Sequence, residues 1–119
     1  MVMIELVKGD DSEDYSFQRK NANNEIIKTL PQKMWVTFKK STDDDAEVLI
    51  QKTLEDGITF NEETSTYSFY ITSEESYSLD YGFYGFDIAI RNERGRKRTL
   101  KKDGVLRITD HYTDKENEV

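Results

Sequence analysis

Apolar and polar residues alternate along most of this chain, and short clusters of Asp, Asn, Gly and Ser interrupt the alternation. Side chains on a strand point alternately to opposite faces, so each alternating run predicts a half-buried strand. "MVMIELVK" sends Val2, Ile4 and Leu6 to one face and Met1, Met3 and Val7 to the other. "GDDSED" turns the chain into "YSFQRK", which alternates Tyr15 and Phe17 with polar residues, and "NANN" at 21–24 is a further turn cluster. After Pro31, "KMWVTFKK" places Met34, Val36 and Phe38 together, opposite Trp35 and Thr37. "EVLIQKTL" sets Val48, Ile50 and Lys52 against Leu49 and Gln51, "EDG" leads into "ITF", and "TYSFYIT" groups Tyr67, Phe69 and Ile71.

The pattern changes at "TSEESYSL", where Thr72 and Glu75 have the spacing of a capping box and predict one short helical turn near residues 73–78. Alternation resumes in "FYGFDIAIRN", with Tyr84, Phe86, Ile88 and Ile90 inward. "ERGRK" predicts a hairpin turn around Gly95, and Asp103-Gly104 predicts a second turn before a closing strand. Roughly seven to eight short strands, with turns about every 8–12 residues, predict an all-β, antiparallel β-sandwich, with a small barrel as the competing architecture. Residues 1–110 are expected to form that single domain, and the polar 111–119 segment is expected to fray.

Composition narrows the class. The 119 residues are 35% hydrophobic and 34% charged, and the 12% aromatic content separates the chain from disordered sequences. With no cysteine, disulfides and thiolate metal sites are excluded. The amino terminus lacks the basic start and apolar run of a secretory signal. The apolar runs fall far short of the ~20 residues of a membrane helix, so no membrane insertion is expected.

Net charge is −7, unevenly divided. Residues 1–90 hold 8 basic and 18 acidic side chains, whereas residues 91–119 hold 9 and 6. An acidic body argues against nucleic acid as a partner, because phosphate binding needs a positive field. The basic excess concentrates in "RNERGRKRTLKK", where Arg91, Arg94, Arg96, Lys97, Arg98, Lys101 and Lys102 face a single acid, Glu93. The ordinary reading is a solubilising edge hairpin, since Lys and Arg oppose edge-to-edge aggregation. The functional reading is a docking element for an acidic protein surface, a neighbouring copy of the chain among the candidates.

"SLDYGFYGFDIAI" at 78–90 resembles an exposed aromatic platform, yet Leu79-x-Tyr81-Gly82-x-Tyr84 has the spacing of a tyrosine corner, with Tyr81 where proline is usual. In a Greek-key sandwich the corner glycine permits the turn and the tyrosine hydroxyl bonds back to upstream backbone. Leu79, Gly82 and Tyr84 are therefore expected to be architectural.

Several stretches also resemble a family of small immunoglobulin-like domains in phage and prophage tail and baseplate proteins, including the amino-terminal domain of baseplate upper proteins. They are "KGDD" at 8–11, residues 36–60 and residues 79–110. The family's Lys-Thr-x-x-x-Gly-Ile segment corresponds to Lys52–Ile58, and its Tyr-x-Tyr/Phe-Asp-Ile strand to Tyr84–Ile88. The closing strand corresponds to Leu100–Ile108, with one extra residue before Gly104. The insertion-like "NANNEIIKTLPQ" has no counterpart. The resemblance implies an immunoglobulin-like sandwich in a virion, assembled in the bacterial cytoplasm and held by other phage structural subunits or further copies of itself.

Other chemistry is sparse. Asp10, Asp11, Glu13 and Asp14, and Asp43, Asp44 and Asp45, are acidic loops without the EF-hand spacing, so solvated turns are the ordinary reading. His111, the only histidine, has no second histidine or cysteine for a zinc site or triad. No catalytic residue and no cofactor is assigned. The expectation is a non-enzymatic structural protein acting through protein–protein contacts. The alternative is a carbohydrate- or cell-surface-binding module using Trp35, Tyr70, Tyr77 and Tyr81.

Overall fold

The computed structural model describes residues 2–40 and 46–110. Eight strands and one short helix follow in order: β1 (Met3–Val7), β2 (Tyr15–Gln18), β3 (Lys33–Lys39), β4 (Val48–Thr53), β5 (Thr59–Asn61), β6 (Thr66–Phe69), α1 (Ser73–Tyr77), β7 (Gly82–Arg91) and β8 (Lys97–Thr109). They build a five-stranded sheet ordered β1-β8-β7-β3-β4 and a three-stranded sheet ordered β2-β6-β5. The His111 site, the 111–119 tail and Asp43–Asp45 lie outside the described residues.

Most of the predicted inward positions meet, but Val48, grouped with Ile50 by alternation, is exposed, because the β3/β4 pairing shifts register between Phe38 and Lys39 and sets Val48 opposite Lys39. Met34, Val36 and Phe38 of β3 and Tyr84, Phe86, Ile88 and Ile90 of β7 are buried, as are Tyr67, Phe69 and Ile71 in and just after β6. One hydrophobic cluster joins both sheets. Aromatic rings stitch the layers together: Phe38 to Phe69 at 6.2 Å, Phe69 to Phe86 at 6.3 Å and Tyr15 to Phe86 at 6.1 Å between centroids. Large rings, which bury the most apolar surface per residue, thus cross between the layers within a core whose other members are mostly aliphatic.

Two expectations need correction. The sandwich is not antiparallel throughout: β1 runs parallel to β8, from Met3 opposite Val105 to Val7 opposite Thr109. Alternation has the same period in either direction, and β1 passes into the other sheet instead of turning through a hairpin, so nothing local sets its sense. Nor does Asp103-Gly104 make a turn, because both residues lie inside the 13-residue β8. Gly104 pairs with Phe86, and a Cβ at 104 would come within 2.4 Å of the Phe86 ring. Glycine is present there for space beneath a core ring.

Between Phe86–Gly104 and Ala89–Thr99 the β7/β8 pairing shifts register twice. The partner numbers sum to 190 before the shifts (86 + 104) and 188 after them (89 + 99), so β8 carries two extra residues. Such β-bulges absorb added residues without ending a ladder.

Helix α1 spans the crossover from β6 to β7. The Thr72 side chain accepts from the Glu75 amide while the Glu75 carboxylate accepts from the Thr72 amide, so the predicted capping box is formed. Ser76 is fully buried and ties the helix to the β1–β2 loop, its hydroxyl donating to the Asp10 carbonyl at 2.8 Å and accepting from the Gly9 amide at 3.0 Å.

Candidate functional site

The basic segment forms the tip and arms of the β7–β8 hairpin. Asn92 organises the turn. Its side-chain oxygen accepts from the Arg94 and Arg96 amides at 3.0 and 2.9 Å, and its backbone amide donates to the Arg96 carbonyl at 2.8 Å. Asn favours this role because its side chain imitates a backbone carbonyl two residues on. The Arg91 guanidinium closes the loop from the side by donating to the Gly95 carbonyl at 2.8 Å.

The acid of the turn is 42% exposed, yet it is engaged within the molecule. Glu93 turns back toward the sandwich and accepts from Arg19 Nη2 at 2.9 Å and from the Thr29 hydroxyl. Arg19 is 5% exposed and also donates to the Thr29 carbonyl at 3.0 Å. Burial alone would raise the Glu93 carboxyl, but the Thr29 hydroxyl and the Arg19 guanidinium together hold it below the usual carboxylate range. Gln32 adds a second tie, its amide donating to the Arg91 carbonyl at 2.8 Å and its side chain to the Glu93 carbonyl at 3.3 Å. The 20–32 segment is therefore the support on which the hairpin rests. Arg94, Arg96, Lys97 and Arg98 are exposed and have no ion-pair partner among the described residues.

The seven predicted basic residues are not gathered on one face. Arg91 and Lys97 sit opposite each other, with Lys33 of β3 in the same row, on the outer face of the five-stranded sheet. Arg98 pairs with Ile90 and Lys101 with Ile88, on the inward side where β7 is buried. Lys101 lies 3.8 Å from Asp103, and Lys102 is exposed within the bulged stretch. Arg94 and Arg96 occupy the tip.

Arg19 and the 20–32 segment escaped sequence reasoning. A signal was present: Arg19 continues the inward register of Tyr15 and Phe17, so alternation alone places a guanidinium at the core's edge. Lys52 follows the same logic at the other edge. It is 5% exposed, and its ammonium reaches Glu75 Oε1 at 2.7 Å. Burial would raise the Glu75 carboxyl, but the Lys52 ammonium and the Thr72 amide outweigh it and hold that carboxyl low. Gly57, at φ +104, lies against the Lys52 stem, where an added Cβ would come within 3.1 Å of it.

At the opposite end of β7, Leu79 and Tyr84 are buried and the Tyr84 hydroxyl donates to the Asp80 carbonyl at 2.8 Å. Gly82 between them has φ +128, a region closed to most L-residues. Tyr81 and Phe83 are more than half exposed. The faces of Tyr77 and Tyr81 are taken by the Lys8 ammonium, 5.6 and 5.3 Å from their centroids, which also donates to the Leu79 carbonyl at 2.9 Å. Trp35 is half-buried elsewhere, beside Ala89 and Thr53 on the outer sheet face, and so shares no platform with them.

Among the described residues no three His, Cys, Asp or Glu side chains gather to hold a metal ion. No helix among them is long and apolar enough to cross a membrane. An open recess beside β5 is lined by Thr59, Phe60, Asn61, Glu62 and Glu63, with both carboxylates exposed at the turn into β6. Compared with known protein families and with curated proteins, the chain matches no family model and no curated relative.

Proposed function

We propose that this chain is an immunoglobulin-like β-sandwich serving as a non-enzymatic structural subunit of a phage or prophage particle, in its tail or baseplate, through protein–protein contacts. The immunoglobulin-like reading draws support from the five-plus-three division of strands and from the bond of Tyr84 to the residue four before it, the link a tyrosine corner makes. The stretches that carry the family resemblance also have packing roles. Lys52 and Gly57 fit together at the β4 edge, Tyr84 and Phe86 enter the core, and Gly104 makes room for Phe86.

The observation that carries the functional reading is the β7–β8 hairpin. The acid of its turn, Glu93, is engaged by Arg19 and Thr29, and its tip presents Arg94 and Arg96 on a hydrogen-bonded turn with no ion-pair partner among the described residues. A fixed turn favours docking, because the backbone that carries the cations is settled before the partner arrives, and complementary charge sets register and association rate. The partners on this reading are other structural subunits of the particle, and the location is the virion. The test is mass spectrometry of gradient-purified particles from a lysogen carrying the gene. The chain should be present in stoichiometric amount, and intact particles without it would refute the role.

A further inference from the structure

The two ends of the sandwich are unlike, and both are unusually exposed in apolar as well as charged groups. β7 begins at Gly82, where the α1 crossover ends, and finishes at Arg91, where the hairpin begins. Ten residues of strand separate these ends by roughly 30 Å. The β1–β2 loop belongs to the crossover end, because Gly9, Asp10, Asp11 and Ser12 bond to Ser76, Ser73 and Ile71. That end carries exposed Glu13, Asp14 and Glu74 beside Tyr77 at 70% and Tyr81 at 53% exposure. The hairpin end carries Arg94, Arg96 and Lys28 beside Ile26 at 42% and Leu30 at 49% exposure. Ile26 and Leu30 belong to the 20–32 segment that is tied to Glu93, so the hairpin and these aliphatic side chains share one end.

From this we infer that the occupant of the hairpin end is the crossover end of a second copy of the chain, bound head to tail. The inference rests on the docking role of the hairpin and names its partner. Apolar groups ringed by charge are the anatomy of a protein interface, and here cations are in excess at the hairpin end, Glu25 and Glu93 included, and carboxylates at the crossover end, Lys8 and Lys40 included. The net charge of −7 does not forbid the contact. At physiological salt the screening length is ~8 Å, so each end responds to its local charge and not to the distant one. Pairing like ends would oppose cations to cations at one end and carboxylates to carboxylates at the other, which disfavours a two-fold dimer through either. A head-to-tail contact leaves one live surface on each terminal copy, so it propagates into a ring or a filament.

The experiment is sedimentation velocity on the full chain at low and high salt, with R94E/R96E and D14K/E74K as variants. None of these four side chains makes a hydrogen bond or ion pair among the described residues, and circular dichroism checks that both variants fold. Wild type should show species larger than a monomer at low salt that dissolve in about 0.5 M NaCl. Each variant alone should be monomeric. Their equimolar mixture should recover association, because the native hairpin and crossover ends meet across the two variants and the two reversed ends are again opposite in sign. Self-association that persists in R94E/R96E, or a mixture that stays monomeric while wild type associates, overturns the inference. A wild type that is monomeric throughout also overturns it. The docking role is then read separately, from binding of a fluorescein-labelled poly-glutamate peptide: loss of binding in R94E/R96E keeps that role alive, and equal binding removes it too.

Discussion

Replacing Gly104 by alanine tests whether the glycine in β8 serves space or chain freedom, because the two accounts predict opposite signs. Gly104 lies in strand backbone outside the left-handed region, so alanine can adopt its conformation, and less freedom in the unfolded chain would stabilise by about 0.5–1 kcal/mol. Against this, the added Cβ would sit 2.4 to 2.6 Å from three atoms of the Phe86 ring. Carbon atoms prefer about 3.5–4.0 Å, so ring or strand must move by about 1 Å. The ring has nowhere to retreat, being 3% exposed with Phe38 at 4.9 Å, Tyr15 at 6.1 Å and Phe69 at 6.3 Å. Overpacking of this kind costs roughly 1–3 kcal/mol, which leaves a net destabilisation of about 1–2 kcal/mol. In a domain of this size that lowers the melting temperature by about 4–8 °C, and the urea midpoint should fall with an unchanged slope. Phe86→Leu should be the specific partner. The double variant G104A/F86L should be more stable than the sum of the single losses allows, with a coupling of about 1 kcal/mol. A G104A protein as stable as wild type, or additive losses in the double variant, would refute the packing account.

Other consequences follow from single groups. The Tyr67 hydroxyl is buried near the Arg19 guanidinium with no hydrogen bond of ordinary geometry among the described residues, and burial outweighs Arg19 to push the phenol above its ordinary pKa; Tyr67→Phe should therefore match wild type or gain about 1 kcal/mol in urea unfolding, and a loss beyond 1 kcal/mol would reveal Arg19 as a partner for the hydroxyl. The Tyr84 hydroxyl does have a partner in the Asp80 carbonyl, so Tyr84→Phe should lose about 1 kcal/mol in the same assay, a sign opposite to that at Tyr67. Glu75 and Glu93 are both held below the ordinary carboxylate value, so the folded chain binds fewer protons than the unfolded one around that value. Their contribution is present above about pH 5 and is lost as the pH falls through their folded pKa values; E75Q/E93Q should flatten the fall of the urea midpoint between about pH 5 and pH 3, and an unchanged slope would mean these two carboxyls do not carry it.

Where a property depended on face alone, it could be read from the chain. Met34, Val36 and Phe38, then Tyr84, Phe86, Ile88 and Ile90, are inward because alternation on a pleated strand is a local fact, and the Thr72–Glu75 capping box is equally local. Direction was not legible: Met3–Val7 has the same pattern whether its neighbour runs parallel or antiparallel. Gly104 misled because Asp-Gly usually signals a turn, whereas this glycine answers to a ring 18 residues earlier in the chain. For the hairpin, charge was legible and its disposition was not. Glu93 looks in sequence like partial neutralisation of seven cations, and only the folded chain shows its carboxylate committed to Arg19 and Thr29 instead.

The double register shift in β8 ties these points together. One extra residue in a strand moves every later side chain to the other face. After a single shift, Arg98 would have left the Ile90 side, and the row of Arg91, Lys97 and Lys33 on the outer face would have lost its central match. Two shifts restore the alternation: Tyr84 faces Leu106 before them and Ile90 faces Arg98 after them, both on the inward side. The pair of bulges thus lengthens the basic arm while returning its residues to the faces that the core strands require. The extra length lies between Thr99 and Gly104, within the stretch that supplies Lys101 and Lys102 and that has no β1 beside it, since β1 pairs only from Val105 onward. An edge that is bulged and basic resists pairing with a copy of itself, so strand-to-strand growth is disfavoured there and the hairpin tip, with Arg94 and Arg96 held on Asn92, is left as the place where contact is made.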